Sequence, residues 1–377
     1  MKILYLTSLE INDFNGVSKK ILSQIKSFEN RGYEVILCDI KQKGNFLYQE
    51  IYQKNIYLKK TVNNILGRQY FLYSYNKILS YIIKENIDII YIRYACNASP
   101  FFLNFLKKLK KFKKKILLEI PTYPYDKEIL ETGNPLKNIK YKIEKKYRLL
   151  LKNYVDRIIT FSNDNEIFGV KTIKISNGID MDRISLVNRK NKNLKNEVNF
   201  LGVAQLAFWH GFDRFILSMS EYYKNNPLEI VKFHIVGDGD KKVVEKLKKL
   251  VKDYELENYV IFYGFKSGKN LDDIYNQTDI AVGSLGIHRL NLEEVQPLKN
   301  REYCAKGLPF IISFKDLWFE NKEFVYKVSN DETIFDINKI ISWYKNLEIT
   351  PKEIREYSKQ FTWDVQIKRI VNYLKEL

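Results

Sequence analysis

Cysteine, histidine and tryptophan are scarce in this chain, with three, three and four among 377 residues. Cys38, Cys96 and Cys304 are odd in number and far apart, so they read as buried free thiols. No disulfide framework and no clustered His/Cys metal site follows from them, and the pattern suits a reducing cytoplasm. No metal and no resident cofactor is expected. Long apolar runs are also missing: no stretch of eighteen apolar residues exists to make a spanning helix. The apolar run within Met1–Thr7 is five residues, too short for a secretory leader, and reads as a first strand.

Acidic residues are deficient, and unevenly so. The chain holds 63 Lys and Arg against 45 Asp and Glu, a net of +18. Residues 1–180 carry +15 of that excess and the rest only +3. Such an imbalance favours an anionic partner for the first half: a phosphoester, nucleic acid or a bilayer surface. No helix-turn-helix spacing, RNA-recognition signature or zinc finger accompanies the charge, so nucleic acid is not expected.

What is present is ample apolar material, 45% hydrophobic and 14% aromatic, enough for two cores at this length. Short β-branched runs alternate with 3.6-period segments twice over. In the first series Lys2–Thr7, Tyr33–Ile40, Asp88–Tyr94, Lys115–Ile120, Arg157–Ser162 and Thr172–Ser176 read as strands. In the second, Val198–Ala204, Val231–Val236, Tyr259–Tyr263, Ile280–Val282 and Phe310–Phe314 do. Between them the polar run Asn188–Glu197 has no periodicity and reads as a linker. The expectation is an α/β protein of two Rossmann-like domains, 1–187 and 198–361, facing each other across a cleft. A final helix, 362–377, has Trp363, Val365, Ile367, Ile370, Val371 and Leu374 as its apolar stripe and is expected to pack back on the first domain.

The most specific signal is SLGIHRLNLEEVQPLKNREYCAKGLPF at 284–310. Glu294 and Glu302 stand eight apart, and Glu302 lies in a short helix closed by Gly307-Leu308-Pro309. A helix start suits a diphosphate, and a carboxylate one turn in can take both hydroxyls of a ribose. A second carboxylate ahead of the helix can hold a sugar and favour oxocarbenium charge.

This region resembles the E-x7-E segment of retaining glycosyltransferases of family 4, which have the GT-B fold. The resemblance extends over nearly the whole chain in family order. Asn15-Gly16-Val17-Ser18 is similar to the glycine-rich first loop, and Ser176-Asn177-Gly178-Ile179-Asp180 to the turn closing the first domain. Ile235-Val236-Gly237-Asp238-Gly239 is similar to the strand-end turn near the donor, and Phe262-Tyr263-Gly264-Phe265 to the segment bordering the base. By that resemblance Glu302 would bind the nucleotide ribose and Glu294 the transferred sugar, with Gly16, Gly237, Asp238, Gly264 and Phe265 around the donor. The implied function is transfer of a sugar, with retention, from a nucleotide sugar to a surface-glycan precursor. The leaving phosphate would take the acceptor's proton.

Two departures stand out. Where the family places an Arg and a Lys to clamp the diphosphate, this chain has Gln205 and His210, neither with a fixed charge at neutral pH. Trp209-His210-Gly211-Phe212-Asp213-Arg214 resembles a variant seen in a glycan-cluster subgroup. Lys299, Arg301, Arg289 and Arg214 are the candidates to replace the charge, Lys299 foremost from its place at the helix start. The first-domain histidine of many relatives is also absent from Glu119–Glu128, where Tyr123, Tyr125 and Glu128 are the candidate acceptor contacts. These losses motivate the other reading, a non-catalytic partner or glycan-binding protein. The basic segment Pro100–Lys115, with seven lysines beside Phe101, Phe102, Leu103, Phe105, Leu106 and Leu109, is a candidate for an anionic membrane surface. Its alternative is an ordinary helix packed on the sheet. A lipid-linked, phosphorylated acceptor would suit the basic first domain.

Overall fold

The computed structural model describes residues 1–12, 16–52, 54, 56–126, 135–188 and 196–375. Two units account for them, each built on a sheet wrapped by helices, mainly parallel in the first and wholly parallel in the second.

The first unit begins with β1 (Lys2–Leu6), α1 (Gly16–Glu29), β2 (Glu34–Lys43), β3 (Phe46–Ile51) and β4 (Ile56–Val62). It continues with α2 (Ile65–Tyr73), α3 (Asn76–Lys84), β5 (Ile89–Arg93), α4 (Pro100–Lys111) and β6 (Lys115–Ile120). Then come α5 (Pro135–Tyr147), a 3-10 turn at Arg148–Asn153, β7 (Arg157–Thr160), β8 (Glu166–Ile167) and β9 (Val170–Lys174). The strand order is β4-β3-β2-β1-β5-β6-β7-β9-β8, parallel from β2 through β9 and antiparallel at both margins. Its centre is apolar on both faces because helices cover both: Ile3, Leu4, Ile89, Ile90, Ile116 and Leu117 are fully buried. α4 starts where Ser99 Oγ accepts from Phe102 N–H and Pro100 sets the first turn. It turns Phe102, Leu103, Phe105, Leu106 and Leu109 inward, so its apolar side belongs to the core and only Phe101 stands out.

The second unit contains β10 (Glu197–Val203), α6 (Phe212–Lys224), β11 (Ile230–Val236), α7 (Lys241–Asp253), β12 (Val260–Gly264) and α8 (Gly268–Asn276). It ends with β13 (Ile280–Val282), α9 (Leu298–Lys306), β14 (Phe310–Ile312), β15 (Val325–Lys327), α10 (Ile337–Lys345) and α11 (Pro351–Ser358). All its strands are parallel, in the order β12-β11-β10-β13-β14-β15. β10 therefore has β11 on one side and β13 on the other, and the strand order reverses there. In open α/β sheets ligands bind beyond the carboxyl ends at such a switch point.

Two chain boundaries differ from the sequence reading. The units divide as Met1–Ser176 with Trp363–Leu377, and Asn177–Thr362, so 177–187 lies with the second unit. Most of the expected linker, 189–195, lies outside the described residues. The last helix, α12 (Trp363–Lys375), packs in the first unit as expected: Trp363, Ile367, Ile370, Val371 and Leu374 join Ile3, Tyr5, Ile21 and Phe28 in one core.

Candidate functional site

The carboxyl ends of β10, β11 and β13 are tied together before any side chain is considered. Leu206 N–H donates to the Asp238 carbonyl at 3.0 Å, and Asp240 N–H to the Leu206 carbonyl at 3.1 Å. The loop after β10 is thus stitched to the Gly237-Asp238-Gly239 turn after β11. Gly237 makes that approach possible. Its φ is +128°, and a Cβ there would stand 1.8 Å from the Ala204 carbonyl oxygen. Gly237 N–H in turn donates to the Gly264 carbonyl at 2.9 Å, which brings the exposed Phe265 to the same rim. Gln205 is exposed between these ties.

His210 is held from two directions. Leu285 N–H, just past β13, donates to its carbonyl at 2.8 Å, and its Nδ1 accepts from Ala207 N–H at 3.1 Å. Burial and the nearby Lys299 charge push its pKa down to about 2, so the ring is neutral. Gly211 follows with φ +64°, and a Cβ would lie 2.5 Å from the Gly286 nitrogen.

α9 carries the second carboxylate. Its N-cap is Pro297, whose side chain accepts nothing, so the first N–H groups have no side-chain cap from that residue. Tyr303 fixes the helix against the sheet: its hydroxyl donates to the Val282 carbonyl at 3.2 Å and accepts from Val203 N–H at 3.1 Å. One buried phenol thereby joins α9 to the ends of β13 and β10, and the adjacent Glu302 faces solvent. Asn177 Nδ2 donates to the Gln296 carbonyl at 2.8 Å, so the Asn-Gly turn supports the approach to α9. Glu294 is half-buried in that approach, in an isolated parallel bridge with Lys315.

The four candidate cations have different fates. Arg214 is 1% exposed and donates to the carbonyls of Leu285, Ser329 and Thr333, bracing α6 against the loops after β13 and β15. Its guanidinium is turned into the unit's interior, which corrects its assignment to the donor. Arg289 is paired with Glu332 at 2.6 and 2.7 Å and with Asp213 at 2.9 Å. Arg301 is fully buried against Asp316. Lys299 alone among the four has a buried head group with no hydrogen-bond partner among the described residues. Its ammonium lies 5.5 Å from the Phe212 ring centroid, and burial pushes its pKa down to about 7. Lys299 thus keeps a buried head group in the first turn of α9 whose desolvation no hydrogen bond among the described residues offsets.

The remaining histidines are structural. His234 bridges Asn199 Oδ1 at 2.8 Å and the Tyr263 hydroxyl at 2.9 Å, and His288 contacts Glu332 at 2.7 Å. Two Asp-x-Asp spacings serve as caps: Asp180 accepts from Asp182 N–H, and Asp240 from Lys242 N–H. No group of three or more His, Cys, Asp or Glu able to hold a metal occurs among the described residues.

In the first unit, Gly16 opens α1, and a Cβ there would meet nothing within 4 Å, so packing does not demand glycine. Tyr123 is half-buried, edge-on to Phe168 at 5.7 Å. Tyr125 is 4% exposed and donates to Glu144 Oε1 at 2.6 Å. That corrects its reading as an acceptor contact: its hydroxyl is taken up inside the unit. Glu128 and Asn15 lie outside the described residues.

Residues 185–361 match the family described as glycosyl transferases, group 1. The match spans nearly the whole second unit, from the approach to β10 through α11. An uncharacterized glycosyltransferase of Methanocaldococcus jannaschii is 23% identical over 186 residues, covering 48% of this chain. That alignment takes in 45% of the relative, less than half its length. Among solved structures, a glycosyltransferase from Rickettsia africae is similar with a TM-score of 0.67 and 15% identity, covering 100% of this chain and 98% of that one. The lipopolysaccharide outer core galactosyltransferase WaaB gives 0.63 at 17%, and Anabaena HepE in complex with UDP and glucose 0.59 at 14%, each covering both chains fully. The fold is GT-B, as the sequence pattern implies.

Proposed function

We propose that this chain is a retaining, family 4-type glycosyltransferase that moves a sugar from a nucleotide sugar onto a lipid-linked glycan precursor. The observation that carries the reading is Lys299: a buried ammonium without a partner, one turn ahead of Glu302, in a segment matching group 1 glycosyl transferases. The donor diphosphate sits at the start of α9 with Lys299 as its cation, which stands in for the charge that Gln205 and His210 lack. Glu302 takes the ribose hydroxyls and Glu294 the sugar. Gly237, Asp238, Gly264 and Phe265 form the rim beside the nucleotide. As the bond from C1 to the leaving phosphate breaks, the acceptor oxygen bonds C1 on the same face. Its proton passes to the phosphate, and no metal is needed to meet the charge. Support for a nucleotide-sugar donor comes from HepE with UDP and glucose and from pneumococcal GtfA with UDP and GlcNAc. The acceptor side draws on the basic first unit, with Gly16, Tyr123 and Glu128 as contacts, at the cytoplasmic face of a membrane.

A thermal-shift panel of UDP-, GDP-, ADP- and CMP-sugars with wild type and Glu302→Ala tests this. One donor should stabilise the wild type saturably and the variant much less. If no nucleotide shifts the wild type at millimolar concentration, the transferase reading falls and a glycan-binding partner takes its place.

A further inference from the structure

The segment formed by α5 and the 3-10 turn after it is inside out. Its inward face is largely polar: Tyr141, Glu144 and Arg148 are buried, with Leu151 the one aliphatic side chain that joins the core. Glu144 accepts from the Tyr94 hydroxyl at 2.8 Å and from the Tyr125 hydroxyl at 2.6 Å, and Arg148 holds Asp126 through two bonds of 2.6 and 3.0 Å. Its outward face is apolar: Ile139 and Leu149 are each 57% exposed, Ile143 and Leu150 each 41%. A surface helix of a globular unit ordinarily does the reverse, so internal packing gives no reason for these four side chains. Exposed lysines 142, 145, 146 and 152 surround them, and the one acid in this stretch, Glu144, is buried.

We propose that this face docks on an anionic phospholipid bilayer, with Ile139, Ile143, Leu149 and Leu150 at the headgroup boundary and the four lysines at the phosphates. The charge decides between occupants: a second copy of this chain, at +18, would set lysines against a positive partner, whereas a bilayer supplies the opposite sign. It also moves the membrane contact away from α4, whose apolar side is already buried. The proposal deepens the reading above, naming the surface at which a lipid-linked acceptor is met, and rests on it only for that acceptor.

The test is co-sedimentation of the full chain with phosphatidylcholine vesicles, with and without phosphatidylglycerol and free of any glycan. Wild type should bind only the anionic vesicles. Ile143→Ser/Leu150→Ser should weaken that binding by roughly tenfold or more, and replacing Lys142, Lys145, Lys146 and Lys152 by Gln should abolish it. Leu66→Ser, on the other exposed apolar helix α2, should change nothing. The proposal is overturned if wild type ignores anionic vesicles, if the double variant binds like wild type, or if Leu66→Ser releases the protein equally. It is overturned too if wild type is a dimer that the double variant dissolves. Donor thermal shifts on the same variants separate the two readings. Loss of vesicle binding with donor stabilisation intact is the expected signature of the variants. Wild type that docks but answers to no donor keeps this proposal and removes the transferase.

Discussion

Lys299→Met keeps the length of the side chain and removes its charge, and it should raise stability while lowering donor affinity. An ammonium whose pKa falls from 10.5 to about 7 on folding carries a desolvation cost. Each pH step of that fall corresponds to about 1.4 kcal/mol, and relaxation of the buried site reduces the total, so methionine should gain on the order of 2–4 kcal/mol at pH 7. The sign over pH follows from the same shift. Below about pH 7 both folded and unfolded chains hold the proton, and the cost is full. Between about 7 and 10.5 only the unfolded chain holds it, so stability rises with pH as the cost is shed. Urea denaturation across that window should show a rise in the wild type that the variant lacks. In the complex, the diphosphate raises the lysine's pKa, so donor affinity should be full below about pH 7 and fall above it. Losing one charge-assisted hydrogen bond of about 1.5–3 kcal/mol should raise the donor Kd by roughly 10- to 150-fold, measured by calorimetry. A variant that is less stable than wild type, or that binds donor equally well, would refute the view of Lys299 as an unpaired cation awaiting an anion.

Arg214→Met should destabilise the second unit by about 3 kcal/mol, because the buried Leu285 carbonyl and the half-covered carbonyls of Ser329 and Thr333 all lose their donor; a denaturation midpoint close to wild type would show the brace to be idle. Tyr303→Phe removes the hydroxyl that joins β10 and β13 to α9, with an expected loss of about 1–3 kcal/mol and a weaker donor response, whereas unchanged donor binding would mean that α9 is positioned by packing alone.

The parallel strands were legible because burial on both faces makes them continuous apolar runs, as in Ile89–Arg93 and Phe310–Ile312. β3 and β4 escaped notice because they lie at a margin of the sheet and their sequences, FLYQEI and IYLKKTV, show neither a continuous apolar run nor a regular alternation. Leu47 is buried while its neighbour Phe46 is not, and the hairpin turns on Gly44 at φ +57°. At the site, spacing exposed Glu294 and Glu302, and the helix start singled out Lys299, but nothing local showed that the other cations are taken. Arg214, Arg289 and Arg301 look available in the sequence. Their partners Thr333, Glu332 and Asp316 arrive from 119, 43 and 15 residues further along. Tyr125 misled for the same reason, since Glu144, which takes its hydroxyl, stands nineteen residues away on a helix facing inward with its polar side. Tyr303, the phenol that places α9, gave no signal beyond its position next to Glu302.

The return of α12 to the first unit sets an order of events during synthesis. Ile367, Ile370, Val371 and Leu374 are each at most 4% exposed in that unit's core, and burial of such side chains contributes about 1.5–3 kcal/mol apiece. They leave the ribosome only after the whole second unit has done so. The second unit, by contrast, is closed within itself: Ile179 N–H donates to the Phe361 carbonyl at 2.9 Å, joining its two ends. The usual rule that the N-terminal domain matures first is therefore reversed. The nascent chain completes its second unit while the first still shows an open apolar face, and a ribosome that stops short of Trp363 releases one finished unit and one that cannot close.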